Sequence, residues 1–241
     1  MCVQVPLWLG EGGASYGGFG RDTKGENWLR LFGGGLSYLE DLGCAASNGA
    51  QVFARQQLSN FISGARSSSG TAWKYTPQPA WWVAVLWKTL VGTKAFSATV
   101  TSESFVHAYA FDGLHPTTDA VSVTSDGAAA ATATTVTVVT NWDEDVAKKE
   151  AIVVHGCTAG NSTVALYLLT PAGAVHDADD DGDAEPVSPD SVGIALNGQQ
   201  LNLSSNGKLP AGIFTPKQVD CNSDGTVAIE LRGLSGAFVV F

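Results

Sequence analysis

From about residue 95 to its end the chain reads in period two. Apolar and β-branched residues alternate with polar ones over residues 96–101, 105–111, 134–141, 151–155, 163–169, 193–196, 227–231 and 237–241, and turn-rich segments separate these runs. Successive side chains of a strand point to opposite faces, so the pattern predicts strands with one face turned to a core. Short strands at this spacing predict a β-sandwich over residues 96–241. The Ala and Thr run of residues 127–135 and the acidic stretch around Asp179 read as expanded, solvated connections.

The first 95 residues follow a different pattern. Val3, Val5, Leu7, Trp8 and Leu9 form a short, nearly continuous apolar run, as expected of a parallel strand buried on both faces. Residues 27–32 read as a helical turn. Leu36, Leu39, Leu42 and Gly43 then recur at helical spacing, and Gly49 can end that helix before a strand over residues 51–55. The order is strand, helix, strand. Residues 59–79, rich in Ser and Gly, read as a long loop, and residues 80–91 as a second helix with Trp82, Leu86 and Leu90 on its core side. A domain boundary is expected near Ala95.

The apolar run at the N-terminus stops on one acid, Glu11, and opens into a loop with Gly12, Gly13, Gly17 and Gly18 around Tyr16. A carboxylate at the C-terminal end of a parallel strand sits where α/β sheets and barrels bind ligand. Glycines let the backbone approach that ligand, and Tyr16 adds a flat wall with a hydroxyl. A capped strand followed by a flexible surface loop is the plainer alternative on spacing alone.

Charge narrows the partners. Of 13 Lys and Arg and 23 Asp and Glu in the 241 residues, eight basic and five acidic residues fall in 1–95, leaving a strongly acidic remainder. Such a surface disfavours nucleic acid and anionic membranes, and it lacks the clustered Arg and Lys that tight binding of a heavily sulfated polymer needs. No 18-residue apolar run is present, so no membrane span is expected and only peripheral membrane association stays open. Residues 2–9, interrupted by Gln4 and Pro6, do not read as a secretory leader.

Metal and cofactor signatures are weak. Cys2, Cys44, Cys157 and Cys221 show no metal spacing, and Cys157 with Cys221 is a candidate disulfide pair. Residues 176–182 contain D-x-D-x-D-G, but Ser188 stands where a calcium loop needs a bidentate Glu. His107, His115, His155 and His176 are scattered, with His107 and His155 inside expected strands. Neither a metal nor a cofactor is expected. Asn161-Ser162-Thr163 and Asn202-Leu203-Ser204 fit the N-glycosylation pattern.

The string Trp8-Leu9-Gly10-Glu11 followed by Ala14-Ser15-Tyr16-Gly17-Gly18 resembles the nucleophile segment of the heparanase-like glycoside hydrolases, family 79. Further matches follow in order: Leu42-Gly43 with residues 51–56, Pro79 with Trp82, Leu86 and residues 90–94, residues 166–169 with Pro171, residues 196–198, Leu209-Pro210 and residues 237–241. The resemblance covers nearly the whole chain but only the C-terminal half of a family member. It implies the last two β/α units of an eight-fold (β/α)8 barrel over residues 1–95, followed by a β-sandwich over residues 96–241. Two units cannot close a barrel, so the missing N-terminal barrel half is an implied partner. The position where relatives carry a sandwich cysteine is Phe111 here, so their bridge is not carried over.

The resemblance also implies roles. Glu11 matches the nucleophile, while Tyr16, Gly17 and Gly18 match residues that contact the sugar, with glycine N–H groups free to bind a uronate carboxylate. Gln56 matches a further substrate-site position. Where many relatives have Gly-Asn-Tyr this chain has Ile62-Ser63-Gly64, which leaves substrate preference open. A retaining glycosidase needs a second carboxyl about 5 Å from the first to protonate the leaving oxygen. In the family that acid lies on an earlier barrel strand, and Glu26, in a loop, and Glu40, on a helix face, are poor substitutes. The expectation is a nucleophile-bearing fragment of a secreted or vacuolar/lysosomal β-glucuronidase acting on glycans or proteoglycans. The rival is a non-catalytic, carbohydrate-binding or structural protein built on the sandwich, with a barrel remnant attached.

Overall fold

The computed structural model describes residues 7–12, 31–55, 61–66, 73–101, 105–114, 134–157, 163–172 and 193–241. In chain order these form β1 (Leu7–Gly12), α1 (Phe32–Ser47), β2 (Ala50–Arg55), β3 (Ile62–Arg66), β4 (Trp73–Pro77), α2 (Pro79–Leu90), β5 (Val91–Phe96), β6 (Val106–Gly113), β7 (Thr135–Asn141), β8 (Lys149–His155), β9 (Thr163–Pro171), β10 (Ile194–Leu196), β11 (Gln199–Gln200), β12 (Lys217–Asp220), β13 (Thr226–Arg232) and β14 (Ser235–Val240). The described protein is mostly sheet with few helices.

β1 and β2 pair in parallel across α1, the strand, helix, strand unit expected from the pattern. Gly49, at φ +84°, supplies the left-handed turn between α1 and β2. Pro79 occupies the first turn of α2, where its missing N–H has no intrahelical partner to lose, and the helix runs directly into β5. α1 crosses α2 closely because Gly35 has no side chain: a Cβ there would lie 2.7 Å from Cβ of Pro79.

The eight-stranded sheet runs in the order β11-β10-β9-β14-β7-β6-β5, with β12 beside β9. Both of its faces are covered. Phe111, Val136, Val138, Tyr167, Leu169, Phe238 and Val240 meet Phe32, Leu36 and Leu39 of α1 and Trp82, Leu86 and Leu90 of α2. From the opposite face Val106, Val139, Val164, Leu166, Ala237 and Val239 pack against Val154, Val227, Ile229 and Leu231 of the antiparallel β8-β13 pair. Alternate residues of one strand therefore enter different cores: Phe238 faces the helices and Val239 faces β8-β13. Cover on both faces leaves β7 and β14 buried almost without interruption, although β7 carries three threonines and an asparagine.

A disulfide joins Cys157, just after β8, to Cys221, just after β12, and so ties the two-stranded pair to the large sheet. Asn197 solves a second problem of continuity. β10 and β12 lie along the same edge of β9, and between them the Asn197 side chain accepts from Leu168 N–H at 3.0 Å and donates to the carbonyls of Leu166 and Thr215 at 3.1 and 3.2 Å. It stands in for a missing ladder segment.

Three expectations are corrected, and two short strands are added. The loop over residues 59–79 contains an antiparallel hairpin, β3-β4, because Trp73, Tyr75 and Thr76 favour extended pairing despite their Ser- and Gly-rich surroundings. The strand placed at residues 96–101 lies earlier, at Val91–Phe96, since α2 passes into it without a loop. β11 and β12, two and four residues long, are too short to give a periodic signal. The third correction concerns β1: Leu7, Trp8 and Leu9 are 50%, 65% and 37% exposed, whereas the apolar run predicts burial on both faces. Among the described residues β1 pairs with β2 alone, so its other edge has no described strand beside it.

Candidate active site

Glu11 is the penultimate residue of β1. Trp8 pairs with Val52, Leu9 with Phe53 and Gly12 with Arg55. Between the last two pairs β1 advances three residues while β2 advances two, which places one extra residue, a bulge, at Gly10-Glu11. Bulges bend a strand and redirect its side chains, and they concentrate beside active sites. Glu11 thus occupies a backbone position at the irregular C-terminal end of a parallel strand.

The C-terminal end of β2 lies alongside, because Gly12 and Arg55 are partners and Gln56 follows Arg55 directly. Beyond it Phe61, just ahead of β3, packs edge-on against Tyr38 of α1 at 5.3 Å, and Tyr38 also meets Phe53 of β2 at 5.9 Å. Phe61 accepts from the Gln78 N–H at 2.8 Å, and the Gln78 side chain donates to Ser63 Oγ at 2.7 Å. The β3-β4 hairpin is thereby fastened to α2. Tyr16, Gly17, Gly18 and Gln56 themselves lie outside the described residues, as do Glu26 and the D-x-D-x-D-G stretch.

A cavity of about 1060 Å³ opens at the other end of the parallel pair, lined by Leu7, Ala50 and Gln51 with Leu42, Trp87 and Lys88 among its walls. Among the described residues that line it none is Asp, Glu or His.

Glu40 has a different part. From α1 it reaches the sheet face of β6 and β7, where Oε1 meets His107 Nδ1 at 2.7 Å and accepts from the Tyr109 hydroxyl, while Oε2 accepts from Thr140 Oγ1 at 2.5 Å. Burial, then the hydrogen bond to Glu40, push the Tyr109 hydroxyl well above its usual value. Gly43, one turn on, permits the approach, since a Cβ there would overlap the Tyr109 ring. All these groups serve docking of α1 onto the sheet. The sequence carries no signal for this cluster, whose members are 67 to 100 residues from Glu40.

Other polar groups are similarly occupied. Lys148 pairs with Asp143 at 2.6 Å and Glu150 at 2.8 Å, and its hydrogen bond holds the Asp143 carboxyl below the usual range. Hydrogen bonds from Thr226 do the same for Asp224. Among the described residues no group of three or more His, Cys, Asp and Glu is arranged to hold a metal ion. No described helix is long and apolar enough to cross a membrane.

No protein-family model matches the chain. Over 94 residues it is 35% identical to heparanase of Gallus gallus, and over 95 residues 34% identical to heparanase of Bos taurus, each match covering 39% of this chain and 16% of the relative. The matched stretch therefore spans about a sixth of those relatives. In fold the chain is similar to a GH51 α-L-arabinofuranosidase from Thermotoga petrophila RKU-1, with TM-score 0.57 and 13% identity over 98% of this chain and 43% of that one. It is also similar to a 4-O-α-L-rhamnosyl-β-D-glucuronidase from Fusarium oxysporum 12S, with TM-score 0.51 and 15% identity over 91% of this chain and 41% of that one. By sequence over 39% of its length the chain is similar to heparanases, and by fold over nearly all of it to glycoside hydrolases.

Proposed function

We propose that this chain is the C-terminal part of a retaining, heparanase-like β-glucuronidase that hydrolyses β-linked uronic acid in polysaccharide or proteoglycan glycans. The observation that carries the reading is the placement of Glu11 on the bulged C-terminal end of β1, beside the end of β2 that leads into Gln56. In this reading Glu11 attacks the anomeric carbon and forms the glycosyl-enzyme. Tyr16, Gly17, Gly18 and Gln56 hold the uronate, and a carboxylic acid of the missing N-terminal barrel half protonates the leaving oxygen. The exposed apolar residues of β1 are the surface that half would cover.

The same reading divides the chain near Ala95. Residues 1–95 are the last part of a TIM barrel, and residues 96–241 are a β-sandwich whose core between β8-β13 and the large sheet draws only on residues beyond 95. The parent protein works outside the cell or in a lysosomal or vacuolar compartment, in keeping with the Cys157–Cys221 bridge.

The test uses an aryl β-glucuronide. The 241-residue chain alone is expected to give no turnover, because general acid catalysis, worth typically about 10²- to 10⁴-fold, and most substrate contacts are missing. Supplying the N-terminal barrel half restores turnover, and Glu11→Gln abolishes it. Turnover by the isolated chain, or turnover that survives Glu11→Gln, contradicts the proposal.

A further inference from the structure

We propose that Asn202 is a glycosylated residue, carrying an N-linked oligosaccharide at the edge of the large sheet. Among the described asparagines it alone begins an Asn-x-Ser/Thr sequence, with Leu203 and Ser204 following. Its position suits a bulky polar adduct. Asn202 is exposed, in irregular backbone two residues beyond β11, and its carboxamide makes no hydrogen bond among the described residues. Leu203 turns the other way and packs against the core shared with the helices. The adduct therefore points outward without disturbing what anchors the segment.

Two independent features support the assignment. The first is the Cys157–Cys221 disulfide, which belongs to a chain matured in an oxidising compartment, where oligosaccharide transfer to asparagine also takes place in eukaryotes. The second is the location. β11 is the outermost strand of the eight-stranded sheet, and Leu201 continues its pairing by donating to the Ile194 carbonyl at 2.9 Å. An open strand edge templates pairing with other chains unless something shields it. A glycan on the next residue shields this edge.

The transfer is balanced by a lipid-linked oligosaccharide pyrophosphate donor. The Asn202 side-chain nitrogen bonds to the anomeric carbon of the first sugar and gives up a proton, while the bond from that carbon to the pyrophosphate oxygen breaks and the lipid pyrophosphate leaves with the electron pair. A transferase of the secretory pathway catalyses the step, so the assignment is independent of any glycosidase activity of this chain.

The experiment routes the full 241-residue chain, behind a cleavable leader, through the secretory pathway of a eukaryotic host. The secreted protein is treated with peptide N-glycosidase in heavy-oxygen water and mapped by mass spectrometry. Asn202 is expected to appear as heavy-oxygen aspartate in molecules whose Cys157–Cys221 bridge is closed. Asn202→Gln and Ser204→Ala each remove one glycan from the intact mass, and Ser204→Thr retains it. The Asn161 sequence is resolved separately by the peptide map. Secreted, disulfide-closed protein with unmodified Asn202 overturns the proposal, and the wild-type map decides even if a variant fails to be secreted.

Discussion

Glu40 and His107, 67 residues apart, meet at 2.7 Å between Oε1 and Nδ1 where α1 lies across the sheet. The same carboxylate takes the hydroxyls of Tyr109 and Thr140, so one side chain on the helix fills the acceptor needs of three on adjacent strands. Thr140 is fully buried, and no water replaces a partner lost there.

Glu40→Ala should therefore destabilise the protein by about 2–4 kcal/mol, the cost of stranding the buried Thr140 hydroxyl and the half-buried Tyr109 hydroxyl beside a new void. Glu40→Gln, which keeps one oxygen, should cost less. Denaturant unfolding checks this through the midpoint, with the slope unchanged if only the native state is affected. A shift below about 0.5 kcal/mol for Glu40→Ala would mean that the cluster adds little to docking of α1.

The Cys157–Cys221 bridge closes a loop with a sequence separation of 64 residues. Restricting an unfolded chain over that span is worth up to about 4 kcal/mol in the chain-entropy treatment. The double variant Cys157→Ala, Cys221→Ala should lower the thermal midpoint by several degrees, and a reducing agent should do the same to the wild type. Cys44, exposed on α1, provides the control thiol, and Cys44→Ala should leave the midpoint unchanged.

Stability should fall at both pH extremes for identifiable reasons. The Tyr109 hydroxyl is raised in the folded state, by burial first, so its contribution is complete below about pH 10 and is lost as pH rises beyond that value. Asp143 and Asp224 are lowered, so their contributions are complete above about pH 4 and are lost as pH falls through their folded values. In thermal melts recorded against pH, Tyr109→Phe should flatten the alkaline limb. Lys148→Met should flatten part of the acid limb. If neither limb changes, other groups govern the profile.

The elements built from repeating side-chain patterns are legible in the sequence. α1, α2 and most strands of the large sheet follow from apolar spacing, since Leu36, Leu39, Trp82, Leu86 and Leu90 all face one core. What the pattern could not supply was anything set by a partner distant in sequence. Trp8 belongs to a run that reads as buried, and it is exposed because burial depends on neighbouring strands that its own residues do not encode. The Asn197-Gly198 pair, with φ of 51° and 83°, is a recognisable two-residue hairpin signal that announces β10-β11. At the candidate site, the strand that carries Glu11 and its parallel pairing were readable, whereas the bulge beside Glu11 appears only once register with β2 is known.

The central claim is that Glu11 is a glycosidase nucleophile, and covalent capture tests it most directly. The enzyme assembled with its N-terminal barrel half is treated with an activated fluorinated uronide, whose slow second step leaves the sugar on the attacking group, and the labelled peptide is sequenced by mass spectrometry. The account predicts one sugar per chain, on Glu11, and a natural substrate hydrolysed with retention of configuration. A label on another carboxylate, or a product of inverted configuration, would contradict it.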